Sequence, residues 1–343
     1  MQTPRPAEVR QAVSSRQFLR SLLGCVRAAS RQRRVQVALG LLWVLDGVLQ
    51  LQPAMFGRGF VATVLIPSAA GNPAVVAGPI VSIADFLAPH IALWNALFAL
   101  TQLLIGLGLL VRRTVRAALV ASFVWSLAVW WLAEGLGGLL TGRASPLNGA
   151  PGAVLLYLFV GLVAWPKRDE LRVSGPISAA AHGLLGERCT RICWGILWVG
   201  SAGLLLQPVN LSPSALGSVF SAAASGQPGW LSAMVARVGG ALMPDAVPLS
   251  VGLAIVMCVV GIGVVLDWHN TGLLSLAVVV SLAIWILGEG MGGILTGTGT
   301  DPNTGPLLVL AALALYRPAD AAVRREPARL TACAVSRRGG LGT

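Results

Sequence analysis

Apolar residues along the chain form eight runs that are separated by polar, glycine-rich or proline-containing segments. A helix needs about 20 predominantly apolar residues to cross a bilayer, and several of the runs approach or exceed that length. The pattern predicts an all-α, polytopic membrane helical bundle with about eight transmembrane helices. We place these helices at residues 35–51, 91–111, 117–140, 152–165, 192–206, 247–266, 272–295 and 305–316.

The chain also repeats itself at an offset of 155 residues. Residues 134–142 read EGLGGLLTG and residues 289–297 read EGMGGILTG. The same offset relates Trp43 to Trp198, Pro89 to Pro244, Trp130 to Trp285, Asn148 to Asn303 and Pro151 to Pro306. Each copy holds an even number of predicted spans, so both copies keep one orientation. The sequence therefore predicts two parallel four-helix repeats.

The repeats and the polar segments divide the chain into five predicted regions. They are a basic cytoplasmic N-terminal tail (1–34), the first four-helix membrane repeat (35–168), a cytoplasmic joint (169–188), the second repeat (189–318) and a cytoplasmic C-terminal tail (319–343).

A long outer segment follows the first span of each repeat and carries apolar residues at helical spacing. We expect an amphipathic helix in each segment, lying over the outer surface of the bundle. The predicted apolar faces are Val76, Ile80, Ile83 and Leu87 in the first copy, and Trp230, Leu231, Met234, Val235, Val238 and Leu242 in the second.

The charge distribution indicates a membrane surface rather than a nucleic acid as the partner. Charged residues make up only 11% of the chain, and the net charge is +12, whereas soluble proteins carry about 25% charged residues. Basic residues cluster before the first span, between the second and third spans, in the joint and after the last span, while the alternate loops hold only Arg58, Arg143 and Arg237. This positive-inside pattern predicts a multi-pass protein of the plasma or inner membrane with both termini cytoplasmic. Its basic tails would face the anionic lipid headgroups of the bilayer.

Two repeated carboxylates are the main candidates for chemistry. Glu134 and Glu289 are expected in the outer third of the third and seventh spans, where ionisable groups are costly and usually face a cavity or a partner. In one interpretation they bind a proton, a cation or a ligand in outward-facing pockets. In the other, backbone N–H groups of the turn satisfy them and the glycines serve packing. In either case, we expect the positive N-terminal end of the short fourth or eighth helix beside each glutamate.

The remaining candidate ligand- or ion-binding residues lie in the first span and in two loops. Asp46 is expected near mid-membrane, either coupling protons or hydrogen-bonded in the core, and Ser201 occupies the equivalent position. The glycine-rich segments 141–151 and 296–306 are expected to dip into the membrane, with Asn303 or Thr304 capping the last helix. They add four candidates, namely Thr141, Thr296, Asn148 and Asn303. The sequence holds no evident catalytic group, metal-ligand set or cofactor motif, and so leans away from an enzyme.

Two stretches resemble the DoxX-like membrane proteins. Residues 39–47 read LGLLWVLDG, and residues 103–113 read LLIGLGLLVRR ahead of an Ala/Leu-rich helix. The resemblance, which includes DoxD-type relatives, implies four-helix membrane units, present here as a tandem duplication. It also implies association with a redox partner subunit, because some of those relatives resemble subunits of thiosulfate:quinone oxidoreductase. No redox residue carries over from it.

Three functions therefore stand as expectations. The first is the handling of a small solute or ion through the outer-side glutamate pockets. The second is a non-catalytic DoxX-like membrane subunit of a quinone-linked redox system. The third is a structural or assembly factor.

Overall fold

The computed structural model describes residues 31–166, 183–268 and 271–316, and every regular element in these ranges is helical. The predicted cytoplasmic tails and most of the predicted joint lie outside the described residues. Within the described residues, the helices of the first half are α1 (Arg31–Leu49), α2 (Arg58–Ala69), α3 (Ala74–Leu87), α4 (Ile91–Leu110), α5 (Val115–Leu132) and α6 (Ala153–Val163). Those of the second half, within the same ranges, are α7 (Gly186–Leu205), α8 (Pro213–Ala224), α9 (Gly229–Leu242), α10 (Ala246–Val265), α11 (Thr271–Leu287) and α12 (Thr304–Leu315).

Corresponding helices of the two halves begin at a nearly constant offset. The helices α2 to α4 begin at Arg58, Ala74 and Ile91, and α8 to α10 begin 155 residues later in each case, at Pro213, Gly229 and Ala246. The starts predicted at residues 91, 117, 152, 247 and 305 lie within two residues of the observed ones, whereas the start predicted at residue 192 lies six residues inside α7.

The predicted ends of two helices are wrong. The helices α5 and α11 end at Leu132 and Leu287, not at residues 140 and 295. The chain then takes positive φ angles, 54° at Gly135 and 54° at Gly290, which an α-helix does not accept. Glu134 and Glu289 consequently lie in turns just beyond the helices rather than inside them.

The outward surface of the bundle is apolar along whole helices. Three helical stretches, Ala74–Leu110, Val115–Leu132 and Gly229–Val265, are long and apolar enough to cross a membrane. Along α4, one stripe exposes large apolar side chains at successive turns, namely Leu93, Leu97, Leu100, Leu104 and Leu107. A surface of this kind marks a lipid or protein contact, because soluble monomers rarely expose apolar patches of this extent. The fold is thus compatible with a helical membrane protein.

Two helical hairpins, α2–α3 and α8–α9, cover one end of the bundle, which we call the hairpin end. The predicted amphipathic helices are α3 and α9, and both are preceded by a helix that the sequence did not predict. Val76 and Ile80 of α3 are buried against Ala69 of α2. In α9, Leu231 is buried, but Trp230 is 64% exposed, so the predicted apolar face is wrong at that residue.

The two halves meet along their inner helices. The helix α12 packs against both α6 and α1, and one continuous apolar core includes Trp43, Tyr157, Trp198 and Leu307. The sequence of this core is not symmetric, because polar side chains are concentrated in the first half.

Two loops at the hairpin end cross from one half to the other. Asn210 donates a 2.8 Å hydrogen bond from Nδ2 to the carbonyl oxygen of Ala144, in the loop before α6. The carbonyl of Leu147 in the same loop lies against Gly288, where a Cβ would approach it to 2.6 Å. In the opposite direction, Gln52 donates from Nε2 to the carbonyl of Gly299 at 3.4 Å. Each half therefore supports the loop of the other.

Candidate functional site

The turns after α5 and α11 share one backbone conformation. Leu136 has φ 56° and ψ 34°, and Met291 has φ 56° and ψ 31°. Glycine is required beside them, because a Cβ on Gly137 would lie 2.0 Å from the carbonyl oxygen of Pro151. The glycine-rich motif thus lets each turn pack directly onto the segment that precedes the next helix.

Each turn begins with a glutamate that accepts hydrogen bonds from the N-terminus of a short helix. The Oε1 atom of Glu134 accepts from the backbone N–H of Val154 at 3.3 Å. The Oε2 atom of Glu289 accepts from the N–H groups of Thr304 at 3.1 Å and Gly305 at 3.3 Å, and its Oε1 accepts from the Thr304 hydroxyl. The first-turn N–H groups of a helix have no intrahelical acceptor and favour an anion. The expected contact between each glutamate and a helix N-terminus is therefore present.

The two glutamates are not equally satisfied. Both carboxylate oxygens of Glu289 accept hydrogen bonds, whereas the Oε2 atom of Glu134 is buried without a hydrogen-bond partner among the described residues. Glu289 therefore resembles a structural capping group, and Glu134 keeps an unused acceptor.

The loops that follow the two turns differ in length. The indole of Trp130 donates to the carbonyl of Pro151 at 2.8 Å, and that of Trp285 donates to the carbonyl of Pro302 at 2.7 Å. Pro151 and Pro302 are therefore structural equivalents, although the sequence comparison at constant offset paired Pro151 with Pro306. That pairing is wrong, because Pro151 lies 13 positions after Gly138 while Pro302 lies nine after Gly293.

The extra residues of the first loop include a short 3₁₀ turn, Pro146–Asn148. Asn148 is consequently not the equivalent of Asn303, and its side chain is exposed. It lines a cavity of about 570 Å³ between the halves, together with Arg143 and Asn210. Asn303 instead caps α12, because its Oδ1 accepts from the N–H of Thr304 at 2.8 Å.

The two candidate threonines close their own turns. The hydroxyl of Thr141 donates to the carbonyl of Gly138 at 2.7 Å and accepts from the N–H of Arg143 at 3.1 Å. Thr296 makes the same pair of bonds, to the carbonyl of Gly293 and from the N–H of Thr298. Both hydroxyls are thus used locally, although Thr296 also lines the cavity described next.

A polar cavity of about 310 Å³ lies beside Glu289 at the hairpin end. Its walls carry many oxygen atoms, from Ser225, Gln227, Glu289, Thr298, Thr300 and Asp301. The Oε1 atom of Gln227 is buried there without a hydrogen-bond partner in the described part of the chain. Carboxylate, amide and hydroxyl oxygens are the ligands that hard cations prefer.

Asp301 lines this cavity and also acts electrostatically on buried acids of the first half. The sequence did not single out Asp301 as a candidate site residue. Its carboxylate accepts from the Thr300 hydroxyl at 2.9 Å and from the Asn303 N–H at 2.7 Å. By accessible area the residue is partly exposed, yet its carboxyl group is densely surrounded by protein. This burial raises the pKa of Asp301, and the two hydrogen bonds oppose the rise.

Asp301 also repels the three other buried acids. Its carboxylate interacts electrostatically with Glu289 of its own half and with Glu134 and Asp46 of the first half. The signal in the sequence was an Asp-Pro-Asn segment just before the last helix. It was overlooked because no acid occupies the equivalent position in the first loop.

Asp46 and Tyr157 form the inner part of this acidic region. Asp46 is 2% exposed and Tyr157 is fully buried. The Tyr157 hydroxyl faces the Asp46 carboxylate without reaching the geometry of a full hydrogen bond, so the hydroxyl and Oδ1 have no partner among the described residues. Tyr157 also interacts electrostatically with Asp301 and Glu134. Asp301 thus interacts electrostatically with Asp46, Glu134 and Glu289.

Polar side chains surround Asp46 in the first half. The Trp43 indole donates to the Ser122 hydroxyl at 3.1 Å, and Gln50 donates to the side chain of Asn95 at 2.5 Å. At the equivalent positions of the second half, Ala277 replaces Ser122 and Leu205 replaces Gln50, and both are fully buried. The polar surroundings of Asp46 therefore have no equivalent at these positions of the second half.

The four acids do not converge on a single point. Within residues 31–166, 183–268 and 271–316, no group of three or more His, Cys, Asp or Glu side chains is arranged to hold a metal ion. The cysteines in these ranges, Cys189, Cys193 and Cys258, are free thiols.

Comparisons of the chain with protein-family models, with curated proteins and with solved structures each returned no match. The DoxX-like resemblance therefore stays a prediction.

Proposed function

We propose that this chain is a multi-pass membrane protein that binds a proton or a small monovalent cation at the acidic region of its hairpin end. The observation that carries the proposal is the position of Asp301. Its carboxylate lines the polar cavity beside Glu289 and also acts electrostatically on the buried Asp46 and Glu134.

The proposed topology has eight spans in two parallel units. The helices α1, α4, α5 and α6 form the first unit, and α7, α10, α11 and α12 form the second, by duplication of one four-helix ancestor. The end opposite the hairpins carries the arginines between α4 and α5 and near the starts of α5 and α7, namely Arg112, Arg113, Arg116, Arg188 and Arg191. The positive-inside rule makes that end cytoplasmic, with both termini, in a plasma or inner membrane. The hairpin end then faces outward.

The charge balance supports a bound proton or cation. Within the described residues, no ion pair involves Asp46, Glu134, Glu289 or Asp301. Ion pairs form elsewhere, between Arg191 and the carboxylates of Glu187 and Asp267. Asp301 and the three acids that it repels cannot all stay ionised away from water without a compensating positive charge. A proton on one carboxyl, or a cation among their oxygens, supplies that charge.

The arrangement also supports a path inward from the outer side. The cavity holds Glu289 and Asp301, Asp301 interacts with the Asp46–Tyr157 pair, and Tyr157 has a hydroxyl without a partner. In the proposed path, a positive charge enters the cavity beside Glu289 and Asp301 and moves from there toward the buried pair.

The test is charge displacement in proteoliposomes adsorbed on a solid-supported membrane, after jumps in pH, Na⁺ or K⁺. We expect a current from the unaltered protein, and at least a tenfold smaller one from Asp301→Asn and from Asp46→Asn. Asp85→Asn is the matched control, because Asp85 is an exposed carboxyl at the same end.

Currents of normal size from folded Asp301→Asn and Asp46→Asn proteins would refute the proposal. A protein that gave no current and copurified with a cofactor-bearing partner would instead support the DoxX-like redox subunit.

A further inference from the structure

An apolar groove runs along the boundary between the two halves, where α6 faces α7. Its volume is about 460 Å³, which is within the range of small-molecule sites. It is lined mainly by aliphatic and aromatic side chains, among them Leu155, Phe159, Leu162, Ile196 and Leu204. No charged side chain lines it among the described residues, and Ile196 is 68% exposed on the outward surface. The groove is therefore open to an apolar surrounding and unsuited to a free ion.

The groove continues into a small inner pocket of about 20 Å³. The two spaces share Leu156, Leu197 and Ser201, and the inner pocket is also lined by Trp198. A volume of this size holds about one water molecule or one oxygen atom, and it is too small for a ring.

Trp198 has an indole N–H without a hydrogen-bond acceptor among the described residues, although the side chain is only 2% exposed. Buried donors of this kind are rare and call for an explanation. In the first half, the equivalent Trp43 donates to the Ser122 hydroxyl. Ala277 occupies the position of Ser122 in the second half, so the acceptor is missing there.

We propose that the groove binds one acyl-ester lipid of the bilayer, with its chain along α6 and α7 and its ester carbonyl oxygen accepting from the Trp198 N–H. The apolar lining fits the chain, and the inner pocket admits a single oxygen atom. Ser201 lines both the groove and the inner pocket, and its hydroxyl offers a second donor. In the first half, Asp46 replaces Ser201 and the Trp43 N–H is already donated to Ser122, so the carbonyl contact is available only at Trp198.

This inference rests on the membrane location in the proposed function, but not on ion binding at Asp301. The Asp301→Asn variant should lose the ion-driven currents but bind lipid as the unaltered protein does. The proposal of ion binding and the proposal of lipid binding can therefore be refuted independently.

The test uses the full-length protein, stripped of lipid by detergent and titrated with a diacyl phosphatidylcholine. A dialkyl-ether phosphatidylcholine, which lacks the ester carbonyls, serves as the second probe. Bound lipid is counted by native mass spectrometry. We expect the ester lipid to bind the unaltered protein at least tenfold more tightly than the ether lipid does.

Two variants separate the carbonyl contact from the chain contact. Trp198→Phe removes the N–H and should weaken the ester lipid at least tenfold while leaving the ether lipid unchanged. Gly200→Leu fills the groove and should weaken both lipids. Gly203→Leu is its matched control, because Gly203 lies on the same helix and, like Gly200, has open space at its Cβ, but does not line the groove.

Trp43→Phe controls for the loss of an indole N–H outside the groove, and circular dichroism checks that each variant is helical. Equal binding of ester and ether lipids to the unaltered protein would overturn the proposal. Unchanged binding of the ester lipid to Gly200→Leu would also overturn it, even if Trp198→Phe did not fold.

Discussion

The indole nitrogen of Trp285 lies 2.7 Å from the carbonyl oxygen of Pro302, to which it donates a hydrogen bond. The bond joins the end of α11 to the segment just before α12, next to Glu289 and Asp301. Trp130 and Pro151 make the equivalent bond in the first half. These bonds hold the loops in place over the acidic region.

Trp285→Phe should destabilise the protein by about 1–3 kcal/mol, because the mostly buried Pro302 carbonyl would lose its donor. The measurement is thermal or denaturant unfolding in detergent. Trp131→Phe is the control, since Trp131 is 43% exposed, and it should change stability by no more than about 0.5 kcal/mol. Equal effects of the two changes would show that the bond to Pro302 contributes nothing.

Glu289→Gln should cost more stability than Glu134→Gln. Glu289 accepts from two N–H groups and a hydroxyl at the start of α12, and hydrogen bonds to a charged group contribute about 1.5–3 kcal/mol. Glu134 has one buried carboxylate oxygen without a hydrogen-bond donor, so the change to Gln removes less stabilisation there than at Glu289. Unfolding of the two variants under identical conditions decides the order. A greater loss in Glu134→Gln would contradict the capping role of Glu289.

Asp301→Asn should change how stability depends on pH. Burial raises the pKa of Asp301 in the folded protein, so the folded state holds this proton more tightly than the unfolded chain does. The stabilisation is complete below the unfolded pKa, about 3.9 for Asp, and is lost as pH rises through the folded value.

The variant should therefore be more stable than the unaltered protein near neutral pH and should lose that advantage in acid. Melting temperatures across the pH range, in buffer without added Na⁺ or K⁺, provide the measurement. Asp85→Asn controls for the removal of one exposed carboxylate. Parallel pH profiles for the unaltered and Asp301→Asn proteins would contradict the expectation.

Gly137→Ala should be far more damaging than Gly142→Ala, although both glycines have positive φ angles of 63° and 70°. At Gly142 nothing lies within 4 Å of an added Cβ, so the cost is the left-handed backbone alone, about 1–2 kcal/mol. At Gly137 the Cβ would lie 2.0 Å from the Pro151 carbonyl, and the loop would have to move. We expect Gly137→Ala to lose more than about 4 kcal/mol. The yield of folded protein and its melting temperature test this, and equal losses would refute the close packing.

The sequence predicted the starts of most of the long apolar helices because those starts have a local cause. The start of α4 at Ile91 and of α10 at Ala246 follows directly from where the apolar runs begin. The end of α5 was misplaced because Leu136 and Leu139 extend the apolar pattern, while the backbone angles that end the helix depend on the neighbouring glycines.

The candidate site was predicted only in part. The residue that was missed is Asp301, which interacts electrostatically with acids of both halves. Glu134, Glu289 and Asp46 were found from their rarity in apolar segments. Asp301 lies in a loop without a repeated counterpart, and its proximity to Asp46 is set by how α12 packs against α1. The loop before α6 is longer than the loop before α12, and this difference was missed. The constant offset of 155 residues pairs Asn148 with Asn303 and so needs no gap in the alignment.

The crossing loops have a consequence for biogenesis. A ribosome delivers Ala144 and Leu147 well before it delivers Asn210 and Gly288, the residues on which that loop rests. The loop before α6 is therefore synthesised before the residues that hold it, and we expect it to reach its final position only after the second half has been inserted.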